Sequence, residues 1–248
     1  MSNPVFSQKI LNRTVAEQAS GVMTIKGTIT KTFVLTLMVL LGAAYTWKIF
    51  NEAINPASLA PWMWGGLIGG FVLALIISFN PKSAQYLSPI YAILEGFFLG
   101  AISAIYNAAF AETAPGIIVN AILLTLMVTF AMLFVYRTNI VKVDGKFAKV
   151  MFMAISAIAL YYILNIVLRL FGVHLTMLHD GGLLSIGISI VIVVVAAFTL
   201  LLDFNFIEKA SYARAPKYME WYGAFGLMVT LVWLYLEILR LLGKFANR

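Results

Sequence analysis

The sequence predicts an all-α polytopic membrane protein, a bundle of seven transmembrane helices. The first observation is composition, since the 248 residues are 62% hydrophobic and only 11% charged, whereas a soluble domain has about 25% charged residues. The second is the length of the apolar segments, because a helix needs about 20 such residues to cross the hydrocarbon. The third is the lack of a barrel-type alternation of apolar and polar residues, which leaves helices to satisfy the backbone.

Seven apolar segments meet this length requirement, and short polar connections separate them. The short connections predict that sequential helices are antiparallel neighbours. We expect a cytoplasmic N-terminal tail (1–31), a seven-helix transmembrane domain (32–243) and a short C-terminal tail (244–248). The segments are residues 32–50, 59–79, 85–106, 115–136, 150–172, 182–202 and 219–242.

Lysine and arginine predict the orientation, because loops rich in these residues stay on the cytoplasmic side. Most of the 17 basic residues precede the first segment or lie in the second, fourth and sixth loops. This predicts a multi-pass protein of the cell (inner) membrane with a cytoplasmic N-terminus. Seven spans place the C-terminus outside, although Arg240, Lys244 and Arg248 lie near it. Either this end follows the stronger signals or the last segment is re-entrant. Basic loops also account for the net charge of +7 without nucleic-acid binding.

Ionisable side chains in the spans are candidate functional residues, because a charge in hydrocarbon is costly unless it is paired or protonated. Asp203 ends a run of uncharged residues from 181 to 202. Glu95 lies near the middle of the third segment, beside a face of small residues (Gly96, Gly100 and Ser103) that permits close helix approach. The alternative for each acid is a buried hydrogen bond that only fixes packing. The set is Glu95, Arg169, Asp203, Glu220, Glu237 and Arg240.

The seventh segment carries a stripe of polar and small residues within about 80° of the helix circumference, at 100° per residue. The stripe predicts a helix enclosed by others or one that lines a water path. Straight helices place Asp203 at the depth of Glu220. Glu237 then lies nearer Arg169 or Arg240. The stripe consists of Gly223, Gly226, Thr230, Trp233 and Glu237, with Glu220 at its edge.

Two further segments have informative patterns, one that predicts helix packing and one that predicts a polar face. Residues 65–70 contain four glycines, which indicates a seam for another helix. Asn165 and Arg169 are one turn apart on the fifth segment, so they share a face and add to its polar lining.

Several enzyme and metal classes are excluded by the residues present. The chain has no cysteine and two histidines, so a zinc site with three histidines cannot form. His174, His179 and Asp180 fall in the fifth loop, where a solvated loop is a better interpretation than a metal site. Hydrolase-elbow, Walker and HExxH motifs are missing from the sequence. We therefore expect no catalytic residues and no enzymatic activity.

Three features in order along the chain carry a family resemblance. They are Glu95-Gly96 with Leu99-Gly100 on the third segment, Asp203 followed by Asn205 and Ile207 at the end of the sixth, and an aromatic, leucine-rich last segment. Together they resemble the Bax inhibitor-1 family of seven-helix membrane proteins (the TMBIM-like or YccA-type group), in a bacterial subgroup, over residues 23–243. The resemblance implies a helical bundle around a central last helix and a pH-sensitive calcium leak.

The resemblance also implies roles for individual residues. In the family, an acid that closes the sixth helix pairs with one on the seventh, and protonation of the pair sets whether the pore is open. Asp203 matches the first acid. The second acid falls on Glu237 if the LYLE segment is aligned, or on Thr230 if the helix ends are aligned. The candidates are therefore Asp203, Glu237 and Glu220 for pH sensing and gating, and Glu95, Thr230 and Arg169 for the ion path.

The predicted function is a pH-sensitive calcium leak channel that needs no cofactor. Carboxylate oxygens suit Ca²⁺, so Asp203 and Glu95 are the residues where the permeant ion, calcium or a proton, would bind. A second class stays open: a membrane regulatory protein that transports nothing and binds a partner such as a membrane protease. A proton-coupled transporter fits less well, because the sequence has no inverted repeat with broken helices.

Overall fold

The computed structural model describes residues 21–52, 56–172 and 182–247. Seven α-helices in these ranges are long and apolar enough to cross a membrane, which confirms the predicted fold class. Short 3-10 turns, Pro56–Leu59 and Pro81–Ser83, precede the second and third helices. The helices are α1 (Ile25–Glu52), α2 (Ala60–Phe79), α3 (Ala84–Ala109), α4 (Ile117–Arg137), α5 (Gly145–Leu170), α6 (Leu183–Tyr212) and α7 (Met219–Ala246).

The helix ends differ from the predicted ends at both termini. Helix α1 begins at Ile25, so residues 25–31 are helical, whereas we expected them in the tail. Thr24 explains this start, because its Oγ1 accepts a 2.9 Å hydrogen bond from the Gly27 N–H and so caps the first turn. At the other end, α7 continues to Ala246 and takes in Lys244, which we had assigned to the C-terminal tail.

Helix α6 extends well beyond the predicted end at residue 202. It continues to Tyr212, so Asp203 lies inside the helix and about 14 Å from its end. The prediction that Asp203 closes the sixth helix is wrong. A count of apolar residues stops at the first charge, but the backbone hydrogen bonds of a helix do not require apolar side chains.

The chain divides into two compact units. Among the described residues, the first comprises those up to residue 100 and residues 206–226, and the second comprises those between 101 and 205 and those from 227 onwards. Helices α3, α6 and α7 contribute a segment to each unit. Helix α3 is the most buried of the seven helices, since 56% of an 18-residue apolar stretch within it is buried. Large apolar side chains such as Phe71, Phe130 and Phe152 are exposed, as expected of surfaces that face lipid.

In the first unit, glycines bring α3 into close contact with its neighbours. A Cβ atom built on Gly96 would lie 2.3 Å from the carbonyl oxygen of Val39 in α1. A Cβ atom on Gly66 of α2 would lie 2.5 Å from the carbonyl oxygen of Leu94. Gly100 meets α1 in the same way. These contacts agree with the predicted small-residue face of α3 and with the predicted glycine seam of α2.

In the second unit, polar and aromatic pairs join the helices. The Ser103 and Tyr235 hydroxyls form a 2.7 Å hydrogen bond between α3 and α7. Phe147 of α5 and Phe198 of α6 pack edge to face, with their ring centroids 6.2 Å apart. Asp144 begins α5 by accepting a 2.8 Å hydrogen bond from the Phe147 N–H. The pair of Phe147 and Phe198 packs α5 against the α6 segment that carries Asp203.

Candidate functional site

Asp203 of α6 meets Thr230 of α7 within the second unit. Thr230 donates a side-chain hydrogen bond to the Asp203 carboxylate. Thr230 is ten residues beyond Glu220 on α7, about 15 Å further along the axis. The prediction that Glu220 lies at the depth of Asp203 is therefore wrong. Thr230, which the alignment of helix ends places opposite Asp203, is the residue at that depth.

The second oxygen of Asp203 has unusual surroundings. The Oδ2 atom is buried and accepts no hydrogen bond from any residue that the structure describes. A carboxylate that lacks partners in hydrocarbon is costly while it is charged, and a protonated carboxyl group becomes a hydrogen-bond donor. Gain or loss of one proton would therefore change both the charge and the hydrogen bonding between α6 and α7.

Glu95 of α3 is buried in the first unit, 8% exposed, on the side of α2. The Tyr91 hydroxyl, one turn earlier, donates a hydrogen bond to its carboxylate. A Cβ atom on Gly70 of α2 would lie 2.9 Å from the Glu95 Oε2, so Gly70 leaves room for the acid. Tyr91 was not among the residues predicted from the sequence, although its i, i+4 spacing from Glu95 is a usable signal.

Glu237 lies in a buried cluster with Arg240 in the second unit. The Arg240 guanidinium donates to Glu237 Oε2 at 2.9 Å. Tyr162 of α5 donates from its hydroxyl to Oε1 at 2.7 Å, and the Trp233 indole donates to the same oxygen at 3.2 Å. Of the two partners predicted for Glu237, the structure supplies Arg240, while Arg169 is exposed at the end of α5. Tyr162 was not predicted as a partner of Glu237, because an aromatic residue in a span is counted as apolar.

Glu220 forms a different kind of site, in the first unit. Its carboxylate is fully buried and accepts hydrogen bonds from the Thr24 N–H at 3.0 Å and the Thr24 hydroxyl at 2.9 Å. The Lys31 ammonium also bonds to it, and that of Lys217 lies 3.3 Å away. A Cβ atom on Gly27 would overlap Glu220. Glu220 thus forms ion pairs with two lysines and joins the start of α1 to the start of α7. Thr24 and Lys31 were not predicted as partners of Glu220, because both had been assigned to the cytoplasmic tail.

Lys244 is a buried cation near the end of α7. It is 5% exposed, and its ammonium donates to the Ser189 hydroxyl at 2.6 Å and to the Ser185 carbonyl at 3.2 Å. Both partners are neutral oxygens on α6. The C-terminal half of α7 therefore carries two cations, Arg240 and Lys244, and one acid, Glu237.

The described side chains give little support for a site that holds a resident calcium ion. The described ranges, with gaps at 53–55 and 173–181, contain no group of three or more side chains of the types that hold a metal. Asp203 and Glu95 each supply one carboxylate, whereas Ca²⁺ takes six to eight oxygen ligands. Neither residue alone fits a bound ion, although either could meet an ion in transit. His174, His179 and Asp180 lie outside the described residues.

Comparison with known proteins identifies a family. A family model described as "Bax inhibitor 1 like" matches residues 3–247, nearly the whole chain and all seven helices. No curated protein and no solved structure matches the chain.

Proposed function

The chain belongs to the Bax inhibitor 1-like family, and on this premise we propose that it is a pH-sensitive calcium leak channel. The proposed location is the cell (inner) membrane, with the N-terminus in the cytoplasm. Seven apolar helices supply the membrane-spanning body. Carboxylate oxygens at Asp203 and Glu95 supply the chemistry that a hard cation such as Ca²⁺ prefers.

The contact between Asp203 and Thr230 carries the proposal. Here a carboxylate between two apolar helices bonds to a hydroxyl and keeps one buried oxygen without a partner. Deprotonated, the group places a negative charge between α6 and α7 that attracts a cation. Protonated, it is neutral and can itself donate a hydrogen bond. The proton therefore switches the electrostatic attraction for the permeant ion.

This gate differs from a gate that rests on a pair of acids. The residue opposite Asp203 is a threonine, so one carboxyl group titrates there instead of two that share a proton. Coupled acids release their protons in steps that belong to the pair, whereas a single acid gives a response of about one proton. We expect the calcium flux to follow a one-proton titration curve.

Calcium entry into proteoliposomes that hold a calcium-sensitive dye, measured over a series of pH values, tests the proposal. The Asp203→Asn variant removes the titrating group and keeps its size, so its flux should no longer depend on pH. Thr230→Asp restores a second acid and should steepen the pH response. Glu112→Gln makes the same chemical change at an exposed position and should retain the wild-type profile. An unchanged profile in Asp203→Asn would refute the gating role.

The C-terminal half of α7 favours a second candidate, a membrane regulatory protein that transports nothing. Arg240 already neutralises Glu237, and the buried Lys244 follows one turn later. Fixed positive charge opposes the passage of cations. For this candidate the basic loops would contact the partner, for example a membrane protease. Wild-type flux equal to that of empty liposomes at every pH would decide for the regulatory protein.

A further inference from the structure

Three separate segments of the chain meet at one end of the first unit. The start of α1 is joined to the turn between α6 and α7, because the Met23 N–H donates to the Ala215 carbonyl oxygen at 2.8 Å. The turn between α2 and α3 joins them through Lys82, whose ammonium lies 5.8 Å from the ring centroid of Tyr218. The fold thus forms one surface from residues that are far apart in the sequence.

This surface has more cations than acids. Glu220 is its buried acid and forms ion pairs with both Lys31 and Lys217, so one carboxylate faces two ammonium groups. Glu208, in the last turn of α6, is the second acid among the described residues at this end of the unit. Six cations stand against these two acids. The basic surface consists of Lys26, Lys31, Lys82, Lys209, Arg214 and Lys217.

Large exposed aromatic side chains adjoin these cations. Phe79, the last residue of α2, is 85% exposed and precedes Lys82 by three residues. Tyr212, the last residue of α6, is 78% exposed and precedes Arg214 by two residues. Aromatic side chains at the ends of spans lie at the level of the lipid headgroups. An anionic phospholipid offers negative charge and hydrocarbon side by side, whereas a nucleic acid or a soluble acidic protein offers mainly the charge.

Two of the ammonium groups are already held in place by the protein. The Lys217 side chain is 48% exposed, and its ammonium lies 3.3 Å from the Glu220 carboxylate. The Lys82 ammonium lies over the ring of Tyr218, the residue that follows Lys217. Side chains that are ordered beforehand lose less entropy when a ligand binds. The two lysines beside Tyr218 are therefore the part of the surface that best suits a phosphate group.

We propose that the basic surface binds the headgroup of an anionic phospholipid from the leaflet at this end of the helices. The phosphate pairs with Lys82 and Lys217, and an acyl chain lies against the exposed ring of Phe79. The occupant is a lipid because the surface lies where apolar helices end, so anionic headgroups are the nearest source of negative charge. The site does not depend on the proposed channel activity.

Removal of two charges tests the proposal with a matched control. The full-length protein is titrated with dioleoylphosphatidylglycerol, and native mass spectrometry gives the dissociation constant of the first bound lipid. Lys82→Gln combined with Lys217→Gln should weaken binding about tenfold or more, because each lysine adds to the attraction for the headgroup. Lys146→Gln combined with Lys149→Gln removes the same charge near the start of α5 and should stay within about twofold. All four side chains are exposed, so the unfolding temperatures should equal that of the wild type.

Further ligands test the chemistry of the occupant. Dioleoylphosphatidylcholine has no net charge and should bind to the wild type about fivefold more weakly or worse, and Lys82→Gln with Lys217→Gln should abolish this difference. Inorganic phosphate and a polyglutamate peptide, each at the concentration of the lipid, should displace little of it. Phe79→Ala should weaken lipid binding several-fold, because it removes apolar surface from the acyl chain.

Three results would overturn the proposal. One is equal weakening by the two pairs of lysine variants, which would mean that binding follows the total charge of the protein. Another is equally tight binding of phosphatidylcholine and phosphatidylglycerol to the wild type. The third is displacement of the lipid by phosphate or by polyglutamate at equal concentration, which would assign the basic surface to a soluble anion or to an acidic protein.

Discussion

Replacing Glu220 by alanine should strongly destabilise the protein, because this acid is the common acceptor of four groups. Two of these are the N–H and the hydroxyl of Thr24, and hydrogen bonds to a charged group are worth about 1.5–3 kcal/mol each. The other two are lysine ammonium groups. The Lys31 and Lys217 side chains are 18% and 48% exposed, so water can solvate them when the acid is lost. The expected loss in the free energy of unfolding is about 3–5 kcal/mol.

The same geometry predicts an order among the partners. Lys31→Ala should cost about 1–2 kcal/mol, because this ammonium is mostly buried against the carboxylate. Lys217→Ala should cost under about 0.5 kcal/mol, because its ammonium is half exposed. Glu52→Ala is the control, since Glu52 is 67% exposed and lies 3.8 Å from the Lys48 ammonium.

Unfolding followed by tryptophan fluorescence in detergent measures these differences. Trp221 reports locally, because the Lys31 ammonium lies 5.4 Å from its ring centroid. Equal losses for Glu220→Ala and Glu52→Ala would refute the reasoning. So would a loss below about 1 kcal/mol for Glu220→Ala, because the bonds to Thr24 would then contribute little. A large loss would make Glu220 a stabilising residue of the first unit, in contrast to the gating role we predicted for it.

Two further pairs of variants test the packing and the Glu237 cluster in the same unfolding assay. Gly96→Ala should lower the free energy of unfolding by about 1–3 kcal/mol, because its methyl group would collide with α1; Gly65→Ala meets open space and should raise it by up to about 1 kcal/mol. A stabilised Gly96→Ala would contradict the close helix contact. Tyr162→Phe should cost about 1–2 kcal/mol, because it removes the hydroxyl bonded to Glu237, whereas Tyr86→Phe, at a residue that is 71% exposed, should be neutral. Equal effects of the two tyrosine changes would contradict the role of that hydroxyl.

Hydropathy was sufficient to predict the helices, because the length of an apolar segment is a direct consequence of the thickness of the bilayer. It failed at the ends of α1 and α6, where polar residues such as Lys31 and Glu208 continue a helix. The end of α6 also determines where a candidate functional residue lies. The extension of α6 moves Asp203 from the predicted helix end into the helix, opposite Thr230.

Side-chain partners were predictable only when they lay on the same helix. Arg240 follows Glu237 by three residues, so helical spacing alone gives that pair. Tyr162 reaches Glu237 from α5, and Lys31 reaches Glu220 from α1. Such pairs depend on how helices rotate and pack, and a single sequence carries no direct signal for this. The Asp203–Thr230 contact was predicted only in part. Alignment of the helix ends with the family placed Thr230 opposite Asp203, whereas the straight-helix estimate of depth placed Glu220 there.

The bonds between Thr24 and Glu220 also bear on how the protein is made. These residues are 196 positions apart, so α1 enters the membrane long before its acceptor leaves the ribosome. Until α7 is synthesised and inserted, the Thr24 N–H and the Lys31 ammonium lack the carboxylate that joins them in the finished protein. Contacts between such distant positions form late in folding, and domains fold as their segments emerge. The last helix therefore completes the packing of the first, and a chain truncated before Glu220 would leave the start of α1 without the carboxylate that Thr24 and Lys31 bind.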